Sequence, residues 1–243
     1  MAIKTEAIEY KEGSNACEGH FAYDDAKAGK RPGVLVVHEW GGLGDYVKQR
    51  CGMLAELGYV ALGCDIFGKG VRASTMSMED CARISKPFYE DRGLTKRRAR
   101  AAVDALRAHA RVDTGKIAAI GYCFGGMVVL DIAREQMPVN GVVSFHGQLM
   151  TPAPAKKVDA KVLVLHGAAD PVVPPAEVAA FEKEMDDASA DWQFVSYGHA
   201  KHTFTNYNLP RTLPADLPFA YDEKADKRSW LAMQDFFKEV LGA

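Results

Sequence analysis

The segment in which residue types and spacing most clearly imply chemistry is Gly121-Tyr122-Cys123-Phe124-Gly125-Gly126. It follows the apolar run Lys116–Ile120 directly and opens the mostly apolar stretch Phe124–Arg134. A cysteine so placed fits a nucleophile held on a sharp strand-to-helix turn. Such a turn brings the chain before and after the nucleophile very close, and a Cβ at 121 or 125 would crowd it. A thiol at a helix N-terminus feels the positive end of the helix dipole, which favours thiolate. The Phe124 N–H is left free to stabilise an oxyanion. The chemistry would be attack by sulfur on an acyl carbon. The plainer reading, a structural cysteine beside a packing turn, fits Cys51 and Cys64 better, because they fall on a helix's apolar face and inside a strand.

A thiol nucleophile works with a histidine that a carboxylate orients, and on this kind of turn the chain order is nucleophile, acid, histidine. Downstream of Cys123, the strand-like Lys161–His166 leads into Ala168-Ala169-Asp170-Pro171. Asp170 thus falls on a turn at the carboxyl end of a strand, although an aspartate before proline is also a common turn residue. Of the seven histidines, His20, His109 and His146 are away from the expected place and His166 ends a strand. His199 and His202 both follow the strand Trp192–Tyr197. The loop must be long enough to reach across the sheet edge, which selects His202. Upstream, Gly33–Val37 runs into His38-Glu39-Trp40-Gly41-Gly42-Leu43, where a second oxyanion N–H is expected, with Trp40 as its donor.

These residues need a scaffold that delivers them to one edge of a sheet. Gly33–Val37 is a continuous apolar, valine-rich run, suited to a parallel strand covered on both faces. Asp45–Leu57 reads as a helix stopped by Gly58, and Tyr59–Asp65 as a strand. Ser77–Arg92 is ambiguous because Pro87 interrupts it. Thr95–Ala110 is a clearer helix, Gly141–Phe145 a strand, Ala176–Asp187 a helix, and Lys227–Leu241 a closing amphipathic helix. Lys4–Tyr10 and Ala16–Tyr23 form a hairpin through Lys11–Asn15. Leu209–Tyr221, with three prolines, is expected to be a surface loop near the site. The alternation predicts an α/β fold, a mostly parallel sheet with helices on both faces, in one domain over residues 1–243.

Thirty basic and 32 acidic residues give a net charge of -2, so nothing favours nucleic acid or a membrane surface as a partner. Five cysteines, widely spaced and without a C-x-x-C pair, argue against a disulfide framework or a zinc site. With no apolar leader near the N-terminus, reduced thiols in the cytoplasm are the expectation.

The elbow at Gly121–Gly126, Ala169-Asp170, the His38–Gly42 loop and Lys201-His202-Thr203-Phe204 together resemble the dienelactone hydrolases, or carboxymethylenebutenolidases, of the α/β-hydrolase superfamily. The resemblance implies a triad of Cys123, Asp170 and His202, hydrolysis of an ester or lactone through an acyl-thiol, no cofactor or metal, and a monomer. It also implies that Glu39 corresponds to a glutamate that contacts the resting thiol, moves when substrate binds and helps take the thiol proton. Family members clamp a substrate carboxylate with arginines. One of those positions is Asn206 here and the residue after the base is Thr203, while Arg83 or Lys86 is the nearest stand-in for the other. Asn offers no charge and no matching fork, which weakens carboxylate recognition. A broader carboxylesterase or thioesterase with the same triad is therefore the second expectation. A non-catalytic binding protein should have lost a triad member or an elbow glycine, and none is missing. A redox role for Cys123 would need a resolving cysteine, and none is close in the chain.

Overall fold

The computed structural model describes residues 2–73, 77–210 and 212–242. Eight strands form one sheet: β1 (Ile3–Glu12), β2 (Asn15–Asp24), β3 (Arg31–Val37), β4 (Val60–Cys64), β5 (Val112–Tyr122), β6 (Gly141–Phe145), β7 (Lys161–Gly167) and β8 (Trp192–Tyr197). Their spatial order is β1-β2-β4-β3-β5-β6-β7-β8. The β1–β2 hairpin and its contact with β4 are antiparallel, and all other pairings are parallel. This is the mostly parallel sheet of the α/β-hydrolase class.

The apolar strands are buried on both faces, and their alternate residues enter two separate cores. Leu35, Val37, Val162 and Val164 join one core with α2 (Met78–Glu90), α3 (Arg92–Ala108), α4 (Phe124–Arg134) and α5 (Pro175–Asp187). Val34, Val36, Leu163 and Leu165 join the other with α1 (Asp45–Glu56) and α6 (Glu223–Leu241). The period of two along each strand is what distributes the helices to opposite faces.

Three helices differ clearly from the sequence expectation. The ambiguous stretch around Pro87 is a helix that runs through the proline and ends three residues later, at Glu90. Its Cys81, Ile84, Ser85 and Phe88 are buried, so one packed face holds a turn that has lost a backbone donor. Asp91 then caps α3, accepting the Leu94 N–H at 2.9 Å, so α3 starts at Arg92 rather than Thr95. The closing helix starts at Glu223, because the Asp222 side chain accepts the Lys224 and Ala225 N–H groups at 3.0 Å each. Among the described residues no helix is long and apolar enough to cross a membrane.

Because β3, β5, β7 and β8 run in parallel, their carboxyl ends fall at one edge of the sheet. The loops that follow them carry Glu39, Cys123, Asp170 and His202. Val37 is in register with Gly121, and Gly167 with Tyr197, so neighbouring strands deliver these loops side by side.

Candidate active site

Cys123 occupies the turn between β5 and α4 at φ 54, ψ -111, a left-handed conformation that L residues adopt only where the surroundings enforce it. The enforcement comes from the glycines. A Cβ on Gly121 would overlap the Gly125 carbonyl. One on Gly126 would come within 2.6 Å of Gly147 Cα. The Cys123 N–H donates to Phe145 O at 3.0 Å and to His146 Nδ1 at 3.1 Å, fixing the elbow to the end of β6.

His202 Nε2 lies 3.1 Å from Cys123 Sγ, and its Nδ1 lies 2.7 Å from Asp170 Oδ2. The other carboxylate oxygen, Asp170 Oδ1, accepts the Val172 N–H at 2.8 Å. Asp170 and His202 are both buried. Burial opposes a charged imidazole, but the facing Cys123 sulfur and the Asp170 carboxylate outweigh it and push His202 up to about 10. The histidine loop is stitched down on two sides. Ala169 N–H donates to Ala200 O at 2.9 Å. On the far side His202 N–H donates to Pro218 O at 3.1 Å and His202 O accepts Ala220 N–H at 3.1 Å. The proline-containing loop expected over Leu209–Tyr221 is thus the strap that holds His202; Arg211 within it lies outside the described residues.

Glu39 is buried in the loop after β3, with Oε2 accepting a hydrogen bond from Asn206 Nδ2 at 2.7 Å. Among the described residues Oε1 has no partner. Burial pushes the Glu39 carboxyl up to about 7, against smaller lowering effects of His202, the Asn206 amide and Arg50. A cavity of about 410 Å³ opens beside it, lined by Glu39, Leu43, Tyr46, Arg72, Asn206 and Asn208 among others. Among the described residues the Trp40 and Phe124 N–H groups have no hydrogen-bond partner. Phe124 has none because the first amides of a helix lack one.

The remaining sequence-predicted positions divide. Asn206 belongs to the site as the partner of Glu39. Thr203, next to His202, adopts φ 60 and contributes no side-chain hydrogen bond among the described residues. Arg83 and Lys86 are not brought to the thiol. They lie on the exposed face of α2, paired with Asp80 and Glu90. The face of α2 turned inward carries Cys81 and Tyr89 instead. Burial, then the charges of Asp80, Cys123 and Glu39, push the Cys81 thiol up to about 11. The Tyr89 ring meets the Phe124 ring edge-on at 5.4 Å, and burial with the nearby Cys123 raises its phenol.

His146, set aside on sequence grounds, is part of the surroundings. Its ring is 5.4 Å from that of His202. Its Nε2 is 2.7 Å from Thr205 Oγ1, which is 2.7 Å from the Tyr46 hydroxyl. Arg50, fully buried, donates to Tyr46 OH at 3.2 Å, to Thr205 O at 2.9 Å and to Asp226 on α6. This buried network joins the elbow, the histidine loop and the last helix. His146 follows β6 at the same sheet edge as the nucleophile, and that placement is the sequence signal that could have found it. No group of three or more His, Cys, Asp or Glu residues that could hold a metal occurs among the described residues.

Residues 19–241 match the dienelactone hydrolase family. A Caenorhabditis elegans protein of uncharacterised function is 39% identical over 154 residues, covering 61% of this chain and 96% of its own. A Methylorubrum extorquens protein, named provisionally as a carboxymethylenebutenolidase, is 26% identical over 88% of this chain and 74% of its own. The crystal structure of a dienelactone hydrolase-like promiscuous phosphotriesterase from metagenomic libraries superposes with a TM-score of 0.90. It shares 37% identity and covers 99% of both chains. A strand-to-helix turn that carries a thiol beside a histidine–carboxylate pair, in a chain matched over nearly its whole length, leads to one assignment: this protein belongs to the dienelactone hydrolase family and is a carboxylic ester hydrolase of the α/β-hydrolase class.

Proposed function

We propose that the protein cleaves an ester or lactone bond, of the dienelactone type, through an acyl-thiol on Cys123. The observation that carries this reading is the aligned chain Cys123 Sγ–His202–Asp170, at 3.1 and 2.7 Å. The Cys123 thiolate attacks the carbonyl carbon, and the oxyanion rests on the N–H groups of Trp40 and Phe124. Collapse of the tetrahedral species breaks the C–O bond, and the imidazolium of His202 gives its proton to the leaving oxygen. His202 then takes a proton from water, which attacks the thioester. The C–S bond breaks, releasing the carboxylic acid and regenerating the thiol. Asp170 holds the Nδ1–H tautomer and stabilises the imidazolium throughout. With its carboxyl raised by burial, Glu39 can accept or hold a proton near neutral pH, which suits a group that helps manage the thiol proton.

A second reading, a broader carboxylesterase or thioesterase, is favoured by Asn206. The residue that would otherwise offer a cation to a substrate carboxylate is hydrogen-bonded to Glu39 instead. A phosphotriester is a further candidate substrate, because the similar metagenomic enzyme is a promiscuous phosphotriesterase. Turnover of dienelactone, p-nitrophenyl acetate and paraoxon by wild type and Cys123→Ala separates these readings. Lactone turnover that exceeds ester turnover and is lost in the variant supports the lactonase. Ester turnover alone, still dependent on Cys123, moves the substrate to the esterase class. Wild-type rates in Cys123→Ala would remove Cys123 as the nucleophile.

A further inference from the structure

His38 is fully buried, and each of its ring nitrogens has one partner. Nδ1 lies 2.6 Å from the Glu39 carbonyl oxygen, and Nε2 lies 3.1 Å from the Ile66 amide nitrogen. A carbonyl only accepts and a backbone amide only donates, so this pair of partners selects the neutral Nδ1–H tautomer. Burial also holds the imidazole below its ordinary value, in keeping with a neutral ring. The ring stacks on Phe124 with centroids 5.7 Å apart and planes 14° apart, and meets Phe67 edge-on at 4.5 Å.

The Glu39–Trp40 peptide is trans and planar, so its C=O and N–H point in opposite directions. A bond that fixes the Glu39 oxygen also fixes the direction of the Trp40 N–H. The only other group bonded to that oxygen among the described residues is the Gly42 N–H, at a longer 3.2 Å. We infer that His38 is the positioning residue of the oxyanion hole: it aims the Trp40 N–H through the Glu39 carbonyl, and its ring braces Phe124, which supplies the other N–H. The group so received is an ester or lactone carbonyl oxygen as it becomes an oxyanion. The inference rests on the reading of Trp40 and Phe124 as oxyanion donors given above. A histidine that merely filled the core would share the burial, but its loss would not change how the enzyme distinguishes oxygen from sulfur at the reacting carbonyl.

The test compares an ester with its thiono analogue, in which sulfur, a weak acceptor, replaces the carbonyl oxygen. Wild type should turn over the oxo ester far faster than the thiono ester. His38→Phe should lower kcat for the oxo ester by about 10- to 100-fold with KM little changed, the size expected when a catalytic donor is misaimed rather than removed. The oxo/thiono ratio should fall by a similar factor. His38→Asn keeps an N–H donor near the Nδ1 position and should restore much of the ratio. A folded His38→Phe with the wild-type ratio overturns the inference. If His38→Phe does not fold, His38→Asn against His38→Gln decides, since Gln extends past the Glu39 carbonyl towards Ile66: equal ratios in the two overturn it. A wild type with no preference for the oxo ester overturns the oxyanion-hole reading itself, and this inference with it.

Discussion

Replacing Glu39 by Gln should change how stability depends on pH. Glu39 is buried, and its carboxyl has one hydrogen bond and rises from an ordinary 4.5 to about 7 because ionisation in that setting is unfavourable. In the unfolded chain the group loses its proton near pH 4.5; in the folded protein it keeps it until about pH 7. Between those values the folded state binds more protons than the unfolded state, so stability falls as pH rises. The contribution is fully present below pH 4.5 and is lost above pH 7. At about 1.4 kcal/mol for each tenfold in proton affinity, the loss is about 3 kcal/mol. Glu39→Gln cannot titrate and removes this slope. Any constant cost of an amide in place of a carboxyl shifts its curve without bending it. The assay is urea unfolding of both proteins at several pH values from about 4.5 to 8. The wild-type curve should fall relative to the variant by about 3 kcal/mol across that interval. Curves that run parallel within about 0.5 kcal/mol would refute the reasoning that burial controls this carboxyl.

Three further outcomes follow from the same geometry. Asn206→Leu removes the hydrogen bond that favours ionised Glu39, so the Glu39 pKa should move above 7, visible as a displaced limb in the pH profile of kcat/KM. Gly167→Ala places a Cβ 2.5 Å from Ala200 O and 2.9 Å from Lys201 O, so it should push the His202 loop outward. The expected result is a kcat about 100-fold lower, with a smaller effect on KM. Cys123→Ser removes the sulfur that faces the imidazole and raises it, so the His202 titration followed by NMR should move down from about 10.

Much of the site was legible because strand-to-helix turns announce themselves. The valine-rich run ending at Val37, the strand into Gly121 and the Lys161–Gly167 strand each lead into a loop with a reactive residue. A parallel sheet carries such loops to one edge. The order Cys123, Asp170, His202 came from the chain order expected with a nucleophile elbow, and the choice of His202 over His199 from the reach of its loop. What was not legible depends on side-chain direction. Position 206 reads in sequence as a lost arginine, but in the fold it is the hydrogen-bond donor to Glu39. Arg83 and Lys86 have suitable charges, yet α2 turns Cys81 and Tyr89 inward, and the proline in that stretch hides the helical period that would have shown this. The network through His146, Thr205, Tyr46, Arg50 and Asp226 joins residues up to 176 positions apart in pairwise hydrogen bonds, beyond the reach of any local pattern. His38 carries no signal of its role, since its work depends on the direction of the peptide that follows it.

The most direct test of the central claim is a rapid acid quench of the enzyme during turnover of p-nitrophenyl acetate, followed by intact-mass measurement and peptide mapping. The account predicts an acetyl group on Cys123, formed within the first turnover and absent from Cys123→Ala. Acetylation of a different residue, or full turnover by Cys123→Ala, would contradict it.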